Sequence, residues 1–264
     1  MYWVIQANMY NEEGFASLIS ALERMEIKHS VHKVVPFVGQ LDPPVDPPTN
    51  NVIVMGTYTL SRIAHERGWS PGSFLNENFH ILPQLEHWGS NMLNDDARIC
   101  RFADVDTKRL PLDLFFIKPT TDSKEFAGAV MDAVRFEEWR KRVLDIRPEA
   151  GATLTADTEI LIASLKDIDA EYRLWIVDGR VVTASRYKLG SMRAYNAMVD
   201  ARIMVFGQRL AQTWSPARAY CMDVFDTPKG LFVGEINNLN SAGFYKANMN
   251  RLVGVLENTF TSES

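Results

Sequence analysis

Three groups of residues in this 264-residue chain have the types and spacing to do chemistry. The first is Lys118, which ends the apolar run Phe115-Phe116-Ile117 and precedes Pro119. A strand fixes the stem of such a lysine and leaves its ammonium at the sheet edge, where it meets a phosphate as a point charge. Proline is expected to take the chain out of the ladder there. The turn Thr120-Thr121-Asp122-Ser123-Lys124 then offers backbone N–H groups, hydroxyls and a second cation to the same anion. The competing reading is a solvated surface lysine. The second group is acidic: Asp223 in an apolar strand pattern, then Glu235 and Asn237 in another. Residues two apart on a strand share a face, so Glu235 and Asn237 project together. A hairpin pairing of the two strands sets Asp223 opposite them, giving two carboxylates and an amide oxygen, a set suited to magnesium that bridges nucleotide phosphates. Acids flanking an exposed strand face are the alternative. The third group is basic: Arg173, Arg186 and Lys188 lie in or just past a hairpin pattern. Arg186 and Lys188 share a parity, hence an expected face, and cations there can neutralise an acyl-phosphate or a triphosphate. A solvated cross-strand pair of Glu171 with an arginine explains the same residues.

The elements that must position these groups follow from periodicity. Tyr2 to Ala7 reads as a strand, and Asn11-Glu12-Glu13 opens a helix carrying Phe15, Leu18, Ile19, Leu22 and Met25. His32 to Val38 and Val52 to Met55 read as strands, separated by a proline-rich stretch that cannot join a sheet interior. Thr57 is placed to cap a helix that stops at Gly68. The pattern is weak from Trp69 to Arg109, apart from a helix around Pro83 to Trp88. Beyond it, Leu114 to Lys118, Glu159 to Ser164, Tyr172 to Val177, Arg180 to Tyr187, Ala219 to Phe225 and Leu231 to Asn237 fit strands. Asp178-Gly179 signals a two-residue hairpin. Helices are expected over Phe136 to Leu144, Met198 to Trp214 and Tyr245 to Phe260. The fold class is α/β (α+β): an N-terminal α/β lobe over 1–70, a connector over 71–110, and a larger lobe over 111–264 built on an antiparallel sheet backed by helices.

Composition narrows the function. A net charge of −5 argues against a broad phosphate-binding surface, so nucleic acid is not the default partner. The two cysteines, Cys100 and Cys221, lack CxxC or Cys/His spacing, which argues for a reduced cytoplasmic protein without a zinc site. The N-terminus has no basic stretch before an apolar run, and no segment approaches the ~18 apolar residues of a membrane span. Neither GxxxxGKS/T nor GxGxxG occurs, which removes P-loop and Rossmann sites. The five histidines all lie in the first third and form no HExxH. GxSxG is absent as well.

The ordered set, hydrophobic-Lys-Pro, polar loop, strand and linker, Glu-x-Arg before a hairpin, Asp, then Glu-x-Asn, resembles the ATP-grasp superfamily across Leu114 to Asn238. The stretch from Glu171 to Tyr187 is similar to a divergent clade of phage and bacterial genomes. That clade is related to eukaryotic cell-division-cycle proteins that assemble translation initiation factor two. The resemblance implies ATP with magnesium in a cleft between two lobes. Lys118 would contact the α-phosphate and the adenine side, and Ser123 and Lys124 would lie in the phosphate-covering loop. Backbone groups of Ala163, Ser164 and Leu165 would read the base, and Asp167 or Asp169 would hold the ribose. Asp223, Glu235 and Asn237 would bind magnesium.

Two departures stand out. The covering loop lacks glycines, and Cys221 stands where many ligases of the family place an arginine, a charge that Arg186 or Arg173 would supply instead. The activity the resemblance implies is an ATP-dependent carboxylate–amine ligase working through an acyl-phosphate on small molecules, a peptide or a protein. An assembly chaperone that binds ATP without turnover and an ATP-dependent kinase are the alternatives. The acceptor is expected near Asn8, Tyr10, Gly56 and Thr57 at strand ends, with the segment from Asn238 to Tyr245 beside the metal.

Overall fold

The computed structural model describes residues 1–9, 13–35, 38–74, 79–110, 113–121, 125–145 and 154–261. Along the chain these form β1 (Tyr2–Gln6), α1 (Glu13–Arg24), β2 (His29–Val35), β3 (Gln40–Asp42), β4 (Asn51–Met55), α2 (Tyr58–Glu66) and β5 (Ser70–Gly72). Next come α3 (Ile81–Trp88), β6 (Arg98–Arg101), β7 (Phe115–Pro119), β8 (Ala129–Met131), α4 (Ala133–Asp145) and β9 (Glu159–Ala163). The remainder is β10 (Ala170–Val177), β11 (Arg180–Leu189), β12 (Met192–Asn196), α5 (Ala201–Thr213), β13 (Ala219–Thr227), β14 (Gly230–Asn238) and α6 (Met249–Thr261). The mixed α/β class expected from the sequence is what these elements form.

Contacts divide the chain into two compact units, one of Met1–Glu77 with Ile168–Ser264 and one of Asn78–Asp167. The breaks at 70 and 110 read from the sequence do not coincide with these borders. The first unit holds two sheets. One has the order β3-β2-β1-β4-β5, in which β1 runs parallel to β2 and β4, and β4 parallel to β5. The other is antiparallel throughout, in the order β12-β11-β10-β13-β14. Trp3, Ile5, Leu18, Leu22 and Ile53 from the first segment share one buried core with Trp175, Cys221, Leu252 and Leu256 from the last. Apolar residues far apart in sequence therefore bind the two segments into one body, which local periodicity cannot reveal.

On the other face of the antiparallel sheet lies α5, whose Gly207 lets Leu174 approach: a Cβ there would sit 2.1 Å from Leu174 Cδ2. The Asp178-Gly179 turn closes the β10–β11 hairpin with positive φ at both residues (44° and 69°), the conformation a two-residue hairpin requires.

The second unit carries a separate antiparallel sheet, β6-β9-β7-β8. Its core is aromatic: Phe102, Phe115 and Phe136 are fully buried, with Trp139 edge-on to Phe102 at 4.9 Å. The strands expected in the larger lobe thus belong to two sheets rather than one.

Three local expectations are corrected. Pro119 stays in the ladder opposite Ile160. Thr120 N–H donates to the Glu159 carbonyl, so the nitrogen of Pro119 points the other way, toward β8, which pairs only with Phe115 to Ile117. The missing donor therefore leaves no bond unmade. Tyr245 does not begin α6; its φ of +50° is incompatible with a right-handed helix, and α6 starts at Met249. Thr57 occupies the cap position of α2, but its hydroxyl donates to Gln6 Oε1 instead of capping. Among the described residues no helix is long and apolar enough to cross a membrane.

Candidate functional site

The acidic group and part of the basic group meet on one face of the antiparallel sheet. Register places Arg173 opposite Asp223 and Asp223 opposite Glu235, with Cys221 opposite Asn237 two residues along. Asp223 is 1% exposed and accepts two bonds from Arg173, Nε to Oδ1 at 2.8 Å and Nη2 to Oδ2 at 2.7 Å. Tyr187 Oη donates to Asp223 Oδ2 at 3.4 Å. The Asn237 amide reaches both carboxylates, 3.2 Å from Asp223 Oδ2 and 3.4 Å from Glu235 Oε1. Glu235, by contrast, is exposed to solvent. The structure therefore brings Asp223, Glu235 and Asn237 together as a geometric group.

The arginine is held as firmly as the acid. Its guanidinium lies 5.7 Å from the centroid of the Tyr187 ring and 5.1 Å from that of Tyr245, and the two rings stack at 5.0 Å with an 18° interplanar angle. A planar cation between aromatic faces and a carboxylate fork is fixed in position and direction. Burial lifts the Asp223 carboxyl above its ordinary range, reinforced by Glu235 and Glu171 and opposed by Arg173. Arg173 itself is raised well above its usual value, because Asp223 more than offsets the cost of burying the guanidinium. Burial also drives the Tyr187 phenol and the Cys221 thiol far upward, so both stay protonated. Cys221 is thus a core residue and no nucleophile.

The shared face expected for Arg186 and Lys188 is not formed. Lys188 pairs with Glu171 while Arg186 pairs with Tyr172, so residues two apart on β11 meet neighbours on β10. A β-bulge at this point inserts Tyr187 and reverses the parity beyond it. Lys188 Nζ bonds Glu171 Oε1 at 2.5 Å on the acidic face. Arg186 takes the opposite side, where Nε donates to the Ala194 carbonyl.

In the second unit, Lys118 is half-buried on β7 opposite Leu161, and its ammonium has no hydrogen-bond or ion-pair partner among the described residues. Ser123 and Lys124 lie outside the described residues, as does Tyr10 in the first unit. Ala163 ends β9 opposite Phe116. Ser164 N–H donates to Asp96 Oδ2 at 3.0 Å, and Lys166 Nζ bonds Asp96 Oδ1 at 2.8 Å and Ser164 Oγ at 2.6 Å. Leu165 and Asp167 are exposed. Asp169, also exposed, belongs to the first unit, where its backbone bonds Asp226 and Gly190.

The groups expected near the acceptor are largely engaged. Asn8 bonds the backbone of Val34 through both ends of its amide. Gly56 N–H donates to the Asn240 carbonyl, and Asn240 Nδ2 donates to the Val54 carbonyl. Asn238 donates to the Phe74 carbonyl. Asn238 and Asn240 thus tie β14 to the end of β4 rather than waiting for a ligand. Sequence reasoning did not single out Tyr187 or Tyr245, because neither a bulge nor a positive φ at a tyrosine leaves a pattern in the residue string.

The donor set fits magnesium. Among the described residues no group of three or more His, Cys, Asp or Glu is arranged for a metal ion. Asp223, Glu235 and Asn237 offer hard oxygens instead, few enough to leave positions for water and phosphate oxygens. A half-turn of the Asn237 amide brings its oxygen to the place its nitrogen now holds.

The model of an ATP-grasp domain, the third family of its clade, matches residues 29–256. No curated protein matches the chain. Similar solved structures include D-cycloserine synthetase DcsG, at TM-score 0.62 and 14% identity over 98% of this chain and 99% of that one. Another is D-alanine–D-alanine ligase from Bacillus anthracis complexed with ATP, at 0.62 and 12% over 99% and 97%. The ATP-grasp ligase PsnB complexed with minimal precursor, Mg and ADP gives 0.54 and 15% over 98% and 98%. The match spans most of the chain and the fold agrees with it: the protein belongs to the ATP-grasp domain family.

Proposed function

We propose that this protein is an ATP- and magnesium-dependent carboxylate–amine ligase that works through an acyl-phosphate. The observation that carries the reading is the trio of Asp223, Glu235 and Asn237 on neighbouring strands of an ATP-grasp chain. PsnB holds Mg and ADP beside its precursor, and the Bacillus anthracis ligase holds ATP, which supports the same cofactors here.

Asp223, Glu235 and Asn237 would hold magnesium, which when bound draws charge from the phosphate oxygens. Arg173 keeps Asp223 ionised and pointed one way, and Lys188 with Glu171 keeps a cation on the same face. Lys118 and the backbone from Ala163 to Leu165 are assigned to the nucleotide, and Asp167 or Asp169 to the ribose. Arg186 is given no phosphate role, because it faces Tyr172. A substrate carboxylate oxygen attacks the γ-phosphorus and ADP leaves. The amine then attacks the acyl carbon, phosphate departs, and the amine loses a proton. Positioning and charge carry such a reaction, so the site needs no conspicuous general base.

Calorimetry with ATP, with and without magnesium, tests the site. Binding should depend on magnesium in the wild type and lose that dependence in Glu235→Ala. ADP release that requires both a carboxylate and an amine establishes the ligase. Turnover with phosphate transferred and no amide formed would make the protein a kinase, and tight binding with neither product would make it a binding protein.

A further inference from the structure

In the first unit a groove of about 610 Å³ runs along α1, β11 and the residues leading into α6. Ser17, Ser20 and Arg24 line one side, and their spacing of three and then four residues puts them on one face of α1. Thr183 and Lys246 line the other. Both ionisable residues of the lining, Arg24 and Lys246, are cations, in a chain whose net charge is −5. Arg24 is exposed and has no hydrogen-bond or ion-pair partner among the described residues. The first turn of α6 also opens here, so the positive end of its dipole adds to the same potential.

The wall of the groove continues into the carboxylate cluster. Asn248 N–H donates to Thr183 Oγ1 at 3.0 Å, and Lys246 N–H donates to Ser185 Oγ at 3.2 Å. Ser185 is the cross-strand partner of Arg173, and Tyr245, one residue before Lys246, packs on the Arg173 guanidinium.

We propose that this groove binds a carboxylate-bearing segment of a peptide substrate. The proposal rests on the ligase reading, and it names the class of molecule that the ligase acts on. The volume suits about two or three residues. Hydroxyl and amide donors beside the two cations match side-chain or terminal carboxylates. Nucleic acid would need a longer row of cations and aromatic faces for stacking, neither of which lines the groove.

The test uses the full chain and a fluorescein-labelled, glutamate-rich octapeptide, read by anisotropy. Arg24→Glu and Lys246→Glu should each weaken binding about tenfold, while Arg24→Lys stays near the wild type. Lys229→Glu, an exposed reversal outside the groove, should stay within about twofold. ATP binding, measured on the same variants by calorimetry, should not change. Equal peptide binding by wild type and both reversals overturns the proposal. So does displacement of the peptide by inorganic phosphate at matched ionic strength, which would make the groove a phosphate site. A fall in ATP affinity that parallels the loss of peptide also overturns it, by giving the groove to the nucleotide. If the wild type binds no ATP, the ligase reading fails, and the peptide data alone still decide whether the groove takes carboxylates.

Discussion

The acidic face of the antiparallel sheet and the lysine strand of the second unit are prepared for ligands in opposite ways. On the acidic face nearly every charged group is already engaged: Arg173 with Asp223, Lys188 with Glu171, Asn237 with two carboxylates. On β7, Lys118 holds its charge half-buried and unpartnered among the described residues. An engaged buried ion is part of the fold, so removing its partner leaves a desolvated charge behind. An unengaged ion contributes little to folding, and its removal should be felt by the ligand alone. The difference separates what a substitution does to stability from what it does to binding.

The largest effect expected is on Arg173→Ala. It strands the Asp223 carboxylate in a site 1% exposed and should cost about 3–5 kcal/mol of unfolding free energy in urea. The double variant Arg173→Met with Asp223→Leu removes both charges and should recover most of that loss, while binding no magnesium. A single-variant cost below about 1 kcal/mol would show that the pair does not hold the sheet together.

Lys118→Ala is the counterpart. Its unfolding free energy should stay within about 0.5 kcal/mol of the wild type, while ATP affinity falls tenfold or more, roughly 1.4 kcal/mol. A destabilised variant with unchanged affinity would reverse the contrast between the two regions.

Tyr245 sharpens the comparison, because its backbone is strained (φ +50°) while its ring packs on Arg173. Tyr245→Phe keeps both features and should remain within about 0.5 kcal/mol in urea. Tyr245→Ala keeps the strain and loses the ring, and about 2 kcal/mol is expected. Tyr245→Gly loses the ring but adopts the positive φ freely, so it should be more stable than the alanine variant by about 1 kcal/mol. An alanine variant as stable as the glycine variant would remove strain from the account.

Much of this contrast was legible in the residues. Alternation fixed the strands that carry Asp223, Glu235 and Asn237, and Asp178-Gly179 fixed one hairpin, so the acidic cluster could be assembled on paper. Parity failed where a bulge at Tyr187 intervened, which set Arg186 and Lys188 on opposite faces. Counting residues two by two has no means of registering an inserted one. Short strands such as β5, β6, β8 and β12 were missed because three to five residues carry too little periodicity. The core that joins Trp3 and Leu22 to Trp175 and Leu256 depends on contacts across more than a hundred positions. Nor did the sequence show that Asn238 and Asn240 serve as ties, since a buried amide and an amide facing a ligand are spelled alike.

The smallest effect expected is in the second unit, at the segment proposed to read the base. Asp96 holds the Ser164 N–H and the Lys166 ammonium. Burial raises its carboxyl, but the bonds from Lys166 and Ser164 outweigh that and leave it below its usual 3.8. A carboxylate lowered in the folded state stabilises the protein above its unfolded value and loses that contribution as pH falls through its folded value. The unfolding free energy of the wild type should therefore exceed that of Asp96→Asn by up to about 1 kcal/mol at pH 7, a bound set by solvent screening of a carboxylate 40% exposed. That gap should hold down to about pH 5 and narrow below 3.8. Added salt should shrink it at pH 7 as well, which would not happen to the buried Arg173–Asp223 pair. If the gap is the same at pH 3 as at pH 7, the carboxylate is not what pins Ser164, and the linker would be held by its neutral contacts instead.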